Sequence, residues 1–198
     1  MFERFESRYD IRGRVTTLTG LHVGAGTSLE VTGSDNPVLR DINGLPYIPG
    51  SSFKGVLRSI VEAIVRAISP GKGMWPWACD PLGEMCIQST KIQEWEDKVR
   101  RDEITREELD RKVWEKSCTV CRLFGSPWLA SKVKVCDLYL NPSGKPNKGE
   151  EEEKSAEWLG RIEVRNGVAI DRDTETVYGG RLYDYEVVPR ETAFNLNM

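Results

Sequence analysis

The sequence contains no apolar run that approaches the ~20 residues a helix needs to cross a bilayer. Its first residues, MFERFE, lack the apolar core of a signal peptide, and no internal repeat is visible. Basic residues are not in excess either, because the formal net charge is −3. These absences predict a cytoplasmic protein that does not contact membranes, in which any nucleic-acid surface is a local patch of positive charge.

Histidine is nearly absent, since His22 is the only one in 198 residues. An acid–base pair of two histidines is therefore impossible within one chain. The five cysteines of a cytoplasmic protein are expected to be thiols or metal ligands rather than disulfides. With 39% hydrophobic and 30% charged residues, the chain is predicted to be globular, with one sizeable core or one domain that carries an insertion.

Hydrophobic periodicity predicts a mixture of helices and strands. The predicted elements, in chain order, are a strand at 11–19, a helix at 53–68, a helical stretch at 91–116 with a second start at Thr105, and strands at 132–140, 161–170 and 181–188. Segment 141–154 is rich in Pro, Gly, Lys and Glu and is predicted to be an exposed loop. This order suits an α+β fold with a ferredoxin-like (RRM-like) core from 1–69 and 132–198, interrupted by an inserted helical subdomain at 70–131.

The start of the first predicted helix has the features of an anion-binding site. Ser51 or Ser52 is predicted to cap this helix, whose first N–H groups carry partial positive charge. Lys54 and Arg58 are four residues apart and therefore lie on one helical face. Gly55, which is unfavourable inside a helix, would allow another backbone to come close. The alternative is an ordinary capped amphipathic helix with two solvated cations.

Four cysteines have a spacing that suits a metal centre. Cys118 and Cys121 form a C-x₂-C pair, and Cys79 and Cys86 precede them in the predicted insertion. Four thiolates can hold a tetrahedral zinc ion, which would stabilise a subdomain too small to have its own core. Buried free cysteines and a pair of disulfides are the alternatives. Cys136 falls in a predicted strand and is expected in the core.

Four segments of the chain resemble motifs of the RAMP superfamily of CRISPR proteins. They are Leu21–Gly26, Asp35–Asp41, Pro49–Arg58 and the stretch from Asn166 to Pro189. In that order they resemble the turn after the first strand, the Asp-x-Pro-Val-x-Arg-Asp loop of type III effector backbone subunits, the motif of helix 1, and the long β-hairpin, or thumb. Arg122–Gly125 also resembles a segment of those subunits, some of which carry a zinc-stapled insertion.

The resemblance implies a guide-RNA-binding backbone subunit of a type III CRISPR interference complex. Its implied partners are guide RNA, target RNA, copies of itself and other effector subunits. In catalytically active members, such a subunit is an antiviral endoribonuclease that cleaves the paired target RNA. Members of the family usually finish with a second helix, a last strand and a glycine-rich loop, whereas this sequence stops at Met198 soon after the thumb. We therefore expect a core that is incomplete at its C-terminus or is completed by another chain.

The resemblance also implies which residues act. Asp35 matches the aspartate of RNA-cleaving members and is predicted to position a divalent ion (Mg or Mn), because a carboxylate of ordinary pKa is a poor base at neutral pH. The alternative is an Asx-type turn. The predicted RNA contacts are His22, Arg40, Ser51, Ser52, Lys54, Arg58, Arg165 and Arg172. The residues of the thumb that are predicted to wedge into the RNA duplex are Val168, Ile170 and Tyr178. The alternative is an ordinary exposed hairpin.

Three functions are compatible with these residues. The first is a subunit that cleaves target RNA, the second is a scaffold of the same superfamily that binds RNA without cutting it, and the third is a zinc-stabilised protein-interaction module. A cleavage assay with complementary target and magnesium separates the first from the second, and replacement of Asp35 by alanine should abolish the cutting that the first predicts. Reversal of charge at Lys54 and Arg58 would leave RNA affinity unchanged only under the third.

Overall fold

The computed structural model describes residues 7–26, 34–69, 71, 73–81, 83–140 and 161–198, with the backbone alone at 178–181. The predicted loop 141–154 and the Tyr178 side chain lie outside the described residues. The elements in chain order are β1 (Arg12–Thr16), β2 (Tyr47–Ile48), α1 (Gly50–Ile68), α2 (Ser89–Arg100), α3 (Arg106–Lys116), α4 (Thr119–Phe124), β3 (Leu138–Tyr139), β4 (Glu163–Ile170), β5 (Val177–Val187) and β6 (Ala193–Asn197). In the described parts of the chain, no helix combines the length and the apolar character needed to cross a membrane.

The chain divides into two compact units. The helical unit consists mainly of Ser51–Val135, and the sheet unit consists of Ile11–Gly50 and Cys136–Asn197. The segment predicted as an insertion, 70–131, falls in the helical unit together with almost all of α1. This grouping has a physical cause, since α1 packs on the hydrophobic cluster that surrounds the cysteines.

The sheet unit is built from three two-stranded antiparallel sheets. β1 pairs with β6, where Val15 lies opposite Phe194, and β2 pairs with β3. A bridge between Leu140 and Phe194 brings the end of β3 alongside β6. Leu138 and Phe194 are 0% exposed and form the centre of this unit. The combination of helices and small sheets confirms the α+β class.

The predicted strand 132–140 is much shorter in the structure. Only Leu138–Tyr139 forms β3, whereas the N–H of Val133 donates to the carbonyl of Leu123 at 3.3 Å. Val133 packs against the hydrophobic cluster of the helical unit. Its apolar side chain serves that contact and does not mark a strand. Cys136 precedes β3 and is exposed, so the prediction that it lies in the core is wrong.

β4 and β5 form the predicted hairpin, although β5 begins earlier than expected, at Val177. The register pairs Val168 with Leu182 and shifts at a bulge between Val168 and Ile170. Val168, Ile170, Val177 and Leu182 are between 42% and 72% exposed. The hairpin therefore carries an apolar surface that is open to solvent.

Two hydrophobic clusters hold the helical unit together. The first joins α2 to α3 through Ile92, Trp95, Leu109 and Val113. The predicted second helical start is confirmed, because Thr105 accepts the N–H of Glu108 at 3.2 Å and the Glu108 carboxylate accepts the N–H of Thr105 at 2.9 Å. This reciprocal pair is a capping box, and it fixes where α3 begins.

The second cluster surrounds the cysteines and receives one face of α1. That face consists of Leu57, Val61 and Val65. Another series with the same spacing is 52–64% exposed, and it consists of Val56, Ile60, Ile64 and Ile68. Both series have the apolar spacing that predicts a helix. Only the first packs against the described part of the chain, so spacing alone did not show which face is buried.

Candidate functional site

The loop at residues 34–40 lies against residues Asp184–Glu186 of β5. The N–H of Asn36 donates to the carbonyl of Asp184 at 3.2 Å, and the N–H of Glu186 donates to the carbonyl of Asn36 at 3.0 Å. The pairing is a parallel bridge on the outer edge of β5. Because backbone bonds fix the loop at this point, its neighbouring side chains have defined positions beside the hairpin.

Asp35 is held against β5 by two reciprocal hydrogen bonds. Its N–H donates to Oδ1 of Asp184, and its own Oδ2 accepts the N–H of Asp184, each at 3.2 Å. Asp35 is nevertheless exposed. Its carboxylate is thus fixed by a residue 149 positions away rather than by a local Asx-type turn. Asp41 does form such a turn, because its Oδ1 accepts the N–H groups of Asn43 and Leu45, each at 2.9 Å.

Glu186 makes several contacts to this loop. Its Oε2 accepts the N–H of Val38 at 2.9 Å, and both of its carboxylate oxygens lie 2.9 Å from Nη2 of Arg40. Arg40 also donates to the carbonyl of Gly44 at 3.3 Å. The predicted RNA contact Arg40 is therefore already paired with a protein carboxylate. Sequence reasoning missed Glu186, because its partner is 146 positions away and no local pattern connects the two.

His22 contacts the same part of β5. Its Nδ1 lies 2.7 Å from the carbonyl of Glu186, which can only accept, so Nδ1 carries the hydrogen and Nε2 keeps the lone pair in the neutral ring. The ring also packs edge-on against Tyr185, with 5.8 Å between centroids. A Cβ on Gly24 would lie 2.9 Å from Nε2, so glycine at that position leaves room for the imidazole.

The start of α1 differs from the prediction. The helix begins at Gly50, so Ser51 and Ser52 lie inside its first turn and the predicted serine cap is wrong. The N–H of Gly50 instead donates to Oδ1 of Asp137 at 2.8 Å, which places a negative charge at the positive end of the helix dipole. A Cβ on Gly55 would meet nothing within 4 Å in the described chain. The close backbone approach predicted at Gly55 is therefore not made by the described residues of this chain.

Lys54 and Arg58 lie on one helical face, as predicted, and both have protein partners. Nζ of Lys54 donates to Oγ of Ser131 at 2.7 Å, in an exposed position. The guanidinium of Arg58 donates to the carboxylate of Glu62 at 2.9 Å and points its Nη2 at Sγ of Cys121, 3.6 Å away. Burial opposes the positive charge of Arg58, but the interactions with Glu62 and Cys121 outweigh it and raise the arginine pKa.

The hairpin cations are more accessible. Arg165 pairs with the carboxylate of Glu163 at 2.7 Å, and both side chains are about half exposed. Arg172 is exposed in the turn between β4 and β5. An exposed ion pair of this kind contributes little to stability and exchanges readily for another anion.

The four predicted metal ligands do come together. The Sγ atoms of Cys79, Cys86, Cys118 and Cys121 all lie within 4.8 Å of one another. Cys79 is 3.6 Å from Cys121 and 3.7 Å from Cys118. Four sulfurs around a tetrahedral zinc ion, at Zn–S distances of about 2.3 Å, would be about 3.8 Å apart. All four are free thiols, so the disulfide alternative is not adopted.

The cluster is arranged by short local structure. Cys118 precedes α4 as its N-cap, and its sulfur accepts the N–H of Cys121 at 3.3 Å. Hydrogen bonding with the thiols of Cys121, Cys79 and Cys86 holds the pKa of Cys118 well below its usual range. The same hydrogen bonding lowers the pKa of Cys86 and raises the pKa of Cys79 and of Cys121, so the four thiols share their protons unequally.

Among the described residues, no other group of three or more cysteine, histidine or carboxylate side chains converges in this way. At Asp35 the available set is smaller and consists of its own carboxylate and that of Asp184. Magnesium is commonly held by one or two protein carboxylates together with substrate phosphates and water. The two sites therefore differ in kind, since one is a cluster of four mostly buried sulfurs and the other is an exposed aspartate next to the half-buried Asp184.

Comparison with known proteins identifies the family. The sequence profile of the RAMP superfamily matches residues 14–197. The protein of Methanothermobacter thermautotrophicus named CRISPR system Cms endoribonuclease Csm3 is 49% identical over 70 residues, which cover 34% of this chain and 29% of that protein. The Csm3 endoribonuclease of Methanocaldococcus jannaschii is 29% identical over 195 residues, covering 90% of this chain and 61% of that protein. The matched residues thus span less than two thirds of the length of each of these curated relatives.

A solved structure gives the same fold. One chain of a cryo-EM structure of the type III-B Cmr-beta complex bound to cognate target RNA superposes with a TM-score of 0.54 and 15% sequence identity. The superposition covers 96% of this chain and 83% of the other. At that identity the likeness concerns the fold alone. Because the family profile covers nearly the whole sequence, the chain belongs to the RAMP superfamily.

Proposed function

We propose that this chain is a guide-RNA-binding backbone subunit of a type III CRISPR interference complex, and that it cleaves target RNA paired with the guide. The observation that carries the proposal is the exposed Asp35, fixed to β5 of a hairpin that displays apolar side chains. Relatives named as endoribonucleases support the activity. Its proposed partners are guide RNA, target RNA, copies of itself and other effector subunits.

The chemistry asks little of the protein, because RNA supplies its own nucleophile, the 2′-OH next to the scissile phosphate. Cleavage requires that this oxygen lie in line with the phosphorus, that its proton pass to a basic group such as a metal-bound hydroxide, that the 5′-oxygen leave the phosphorus, and that the charge developing on the phosphate be stabilised. Val168, Ile170 and Leu182 would wedge into the paired strands and displace one nucleotide, at a cost of a few kcal/mol of unstacking. A displaced nucleotide can rotate into the in-line geometry that a regular duplex prevents.

Asp35, with Asp184 beside it, would hold a divalent cation (Mg or Mn). When bound, the cation supplies positive charge next to the scissile phosphate. The N–H of Asp184 that binds Oδ2 of Asp35 keeps the carboxylate in one orientation before RNA arrives. Preorganisation of this kind lowers the barrier because no reorientation is needed during the reaction.

The proposed guide-RNA surface includes the exposed first turn of α1. Ser51, Ser52 and Lys54 would contact phosphates, which bind a Lys ammonium more strongly than the Ser131 hydroxyl does because the bond joins two charges. Such contacts recognise the backbone and not the sequence, as a subunit repeated along any guide requires. The further proposed RNA contacts are His22, Arg40, Arg165 and Arg172.

The test is a cleavage assay with the assembled complex that carries Asp35→Ala. We expect guide binding to be retained and magnesium-dependent cutting of complementary target to fall by at least about 100-fold, because the positioned carboxylate is lost. Asp41→Asn is the matched control, since an amide oxygen can still accept the bonds from Asn43 and Leu45. A target with a 2′-deoxy nucleotide at the scissile position should stay intact.

Three results would contradict the proposal. Cutting by Asp35→Ala at the wild-type rate would remove Asp35 from the mechanism. Guide and target binding without any cutting by the wild-type complex would leave the scaffold as the function. A chain whose RNA affinity and salt dependence are unchanged by Lys54→Glu would favour the protein-interaction module instead.

We also propose that Cys79, Cys86, Cys118 and Cys121 hold a structural zinc ion. The sulfur separations of 3.6 and 3.7 Å support tetrahedral coordination. The ion would connect α4 with Cys79 and Cys86, in a region whose hydrophobic cluster is itself partly made of these cysteines. The bound metal would then contribute directly to the folding free energy of the helical unit.

We further propose that the sheet unit is the ferredoxin-like core. β1 precedes α1, with the short β2 between them; β1 lies beside β6, and β6 lies beside the residue that follows β3. In a βαββαβ fold the first strand neighbours the third, and the third neighbours the second. This order supports β1 as the first strand, β3 as the second and β6 as the third. The β4–β5 hairpin then lies between the second and the third strand in the sequence.

A further inference from the structure

One face of α1 carries an Arg–Glu–Arg series beside the cysteine cluster. Arg58, Glu62 and Arg66 follow one another at intervals of four residues and therefore share a face. Glu62 is only 8% exposed, and its two oxygens accept from Nε of Arg58 at 2.9 Å and Nη2 of Arg66 at 3.3 Å. A buried carboxylate requires such pairing, because an isolated charge is costly to remove from water.

Both arginines extend from Glu62 to the cysteine residues themselves. Nη2 of Arg58 lies 3.6 Å from Sγ of Cys121. Nη2 of Arg66 donates to the backbone carbonyl of Cys79 at 2.7 Å. The two guanidiniums therefore hold two of the four ligand residues from the same helix, one through its sulfur and the other through its backbone.

Arg58 also fixes the end of α4. Its Nη1 donates to the carbonyl of Gly125 at 3.0 Å. Gly125 has φ of 91°, a left-handed conformation that favours glycine, and a Cβ there would lie 3.0 Å from the backbone nitrogen of Ser131. The tight turn at Gly125 thus presents its carbonyl to the same guanidinium that contacts Cys121.

The charges explain why this arrangement suits a metal centre. Four thiolates around a zinc dication leave an excess of negative charge in a cluster whose cysteines are mostly buried. Guanidinium groups balance that charge, and a hydrogen bond to a thiolate stabilises its lone pairs. Contacts that support metal ligands in this way are worth about 10–100-fold in metal affinity.

We infer that Arg58, Glu62 and Arg66 support the four-cysteine metal centre, and that Arg58 is a positioning residue of this centre and not a guide-RNA contact. The inference rests on the proposed zinc ion and refines the proposed RNA surface. Lys54, one turn earlier on the same face, contacts only a serine hydroxyl among the interactions described above and remains a proposed RNA contact. Two neighbouring cations of one helix are thereby assigned different tasks.

The experiment compares zinc retention in the wild-type chain, Arg58→Ala, Arg58→Lys and Lys54→Ala. Zinc content is measured after purification, and zinc release to a chromogenic chelator is then followed over time. We expect Arg58→Ala to lose zinc at least about 10-fold faster than wild type. Arg58→Lys should be intermediate, because an ammonium keeps the charge but cannot reach Glu62, Gly125 and Cys121 together. Lys54→Ala should retain zinc like wild type and bind RNA more weakly.

A second measurement is independent of any change in overall stability. With Co²⁺ in place of zinc, the thiolate-to-cobalt charge-transfer band reports on hydrogen bonds to sulfur. We expect this band to move to longer wavelength in Arg58→Lys, because the bond to the Cys121 sulfur is weakened. It should not move in Arg66→Ala, whose lost contact is to a backbone carbonyl.

The outcomes separate this inference from the zinc proposal on which it rests. A wild-type chain that neither contains zinc nor takes up Co²⁺ refutes the metal proposal itself, and this inference with it. A zinc-loaded wild type whose Arg58 variants retain zinc and keep the cobalt band unchanged refutes the inference alone. If those same variants bind RNA more weakly, Arg58 belongs to the RNA surface.

Discussion

Glu186 shows how much one side chain can decide about the arrangement of a loop. Its carboxylate accepts the N–H of Val38 and pairs with Arg40, while its backbone carbonyl binds His22. The carboxylate is 15% exposed, so its interactions are only weakly screened by solvent. Any movement of Glu186 would therefore shift the loop that carries Asp35.

Replacement of Glu186 by glutamine should loosen that loop. We expect a loss of stability on the order of 2 kcal/mol, because the part-buried Arg40 loses a charged hydrogen-bond partner. In the assembled complex, target cutting should fall more than target affinity, since Asp35 is displaced while the proposed RNA contacts Lys54 and Arg165 keep their own partners. Urea denaturation and single-turnover cleavage measure the two effects.

The matched control is Glu163→Gln. Glu163 pairs with Arg165 on the surface, where both side chains are about half exposed, so its stability change should stay below about 1 kcal/mol. Equal effects of the two substitutions would mean that the Glu186 pair does not organise the loop.

At the scale of single elements, α1 contains a glycine that folding of the described chain does not require. A Cβ on Gly55 would meet nothing within 4 Å in the described residues, and glycine inside a helix is unfavourable by about 1 kcal/mol relative to alanine. An open position of this kind suits the close passage of an RNA backbone over the helix, as the proposed guide surface requires.

Gly55→Ala should therefore stabilise the isolated chain by up to about 1 kcal/mol and weaken guide-RNA binding. Urea denaturation and an RNA titration at fixed salt measure the two changes. Ser59→Ala, one turn later on the exposed surface, is the control and should leave RNA affinity unchanged. A stabilised Gly55→Ala variant with wild-type RNA affinity would show that no RNA backbone passes close to this position.

At the scale of the whole molecule, the two units depend on different forces. The strands of the sheet unit are held by backbone ladders, and β4 and β5 pair along most of their length. The helical unit has a cysteine-centred cluster in which Cys79, Cys118 and Cys121 are themselves core residues. Loss of the proposed zinc ion should accordingly affect one unit and spare the other.

Hydrogen exchange before and after treatment with a chelator tests this expectation. We predict faster exchange in α1, α4 and the segment around Cys79 after zinc removal, with unchanged protection in β4 and β5. Cys86→Ala should reproduce the effect without chelator, because a ligand is missing. Cys136→Ala, which removes the exposed cysteine outside the cluster, should behave like wild type. Equal loosening of both units would contradict separate stabilisation.

Local patterns in the sequence determined the elements that depend on near neighbours. Helical spacing predicted α1, the Thr105–Glu108 capping box predicted the start of α3, and the alternation around 161–188 predicted the hairpin. The spacing of Cys118 and Cys121 predicted half of the cysteine cluster, because a short helix joins the two. Each of these features depends on bonds and contacts within a few residues, which the order of residues fixes directly.

The tertiary structure alone decided which distant groups meet. It placed Asp184 on Asp35, brought Asp137 to the start of α1 where a serine cap was expected, and directed Arg58 to Cys121. The physical reason is the same in each case, because a charged side chain takes the partner that packing brings within reach. The sequence shows which residues are charged. Because the partners lie many tens of residues apart, no local pattern reveals which of them will pair.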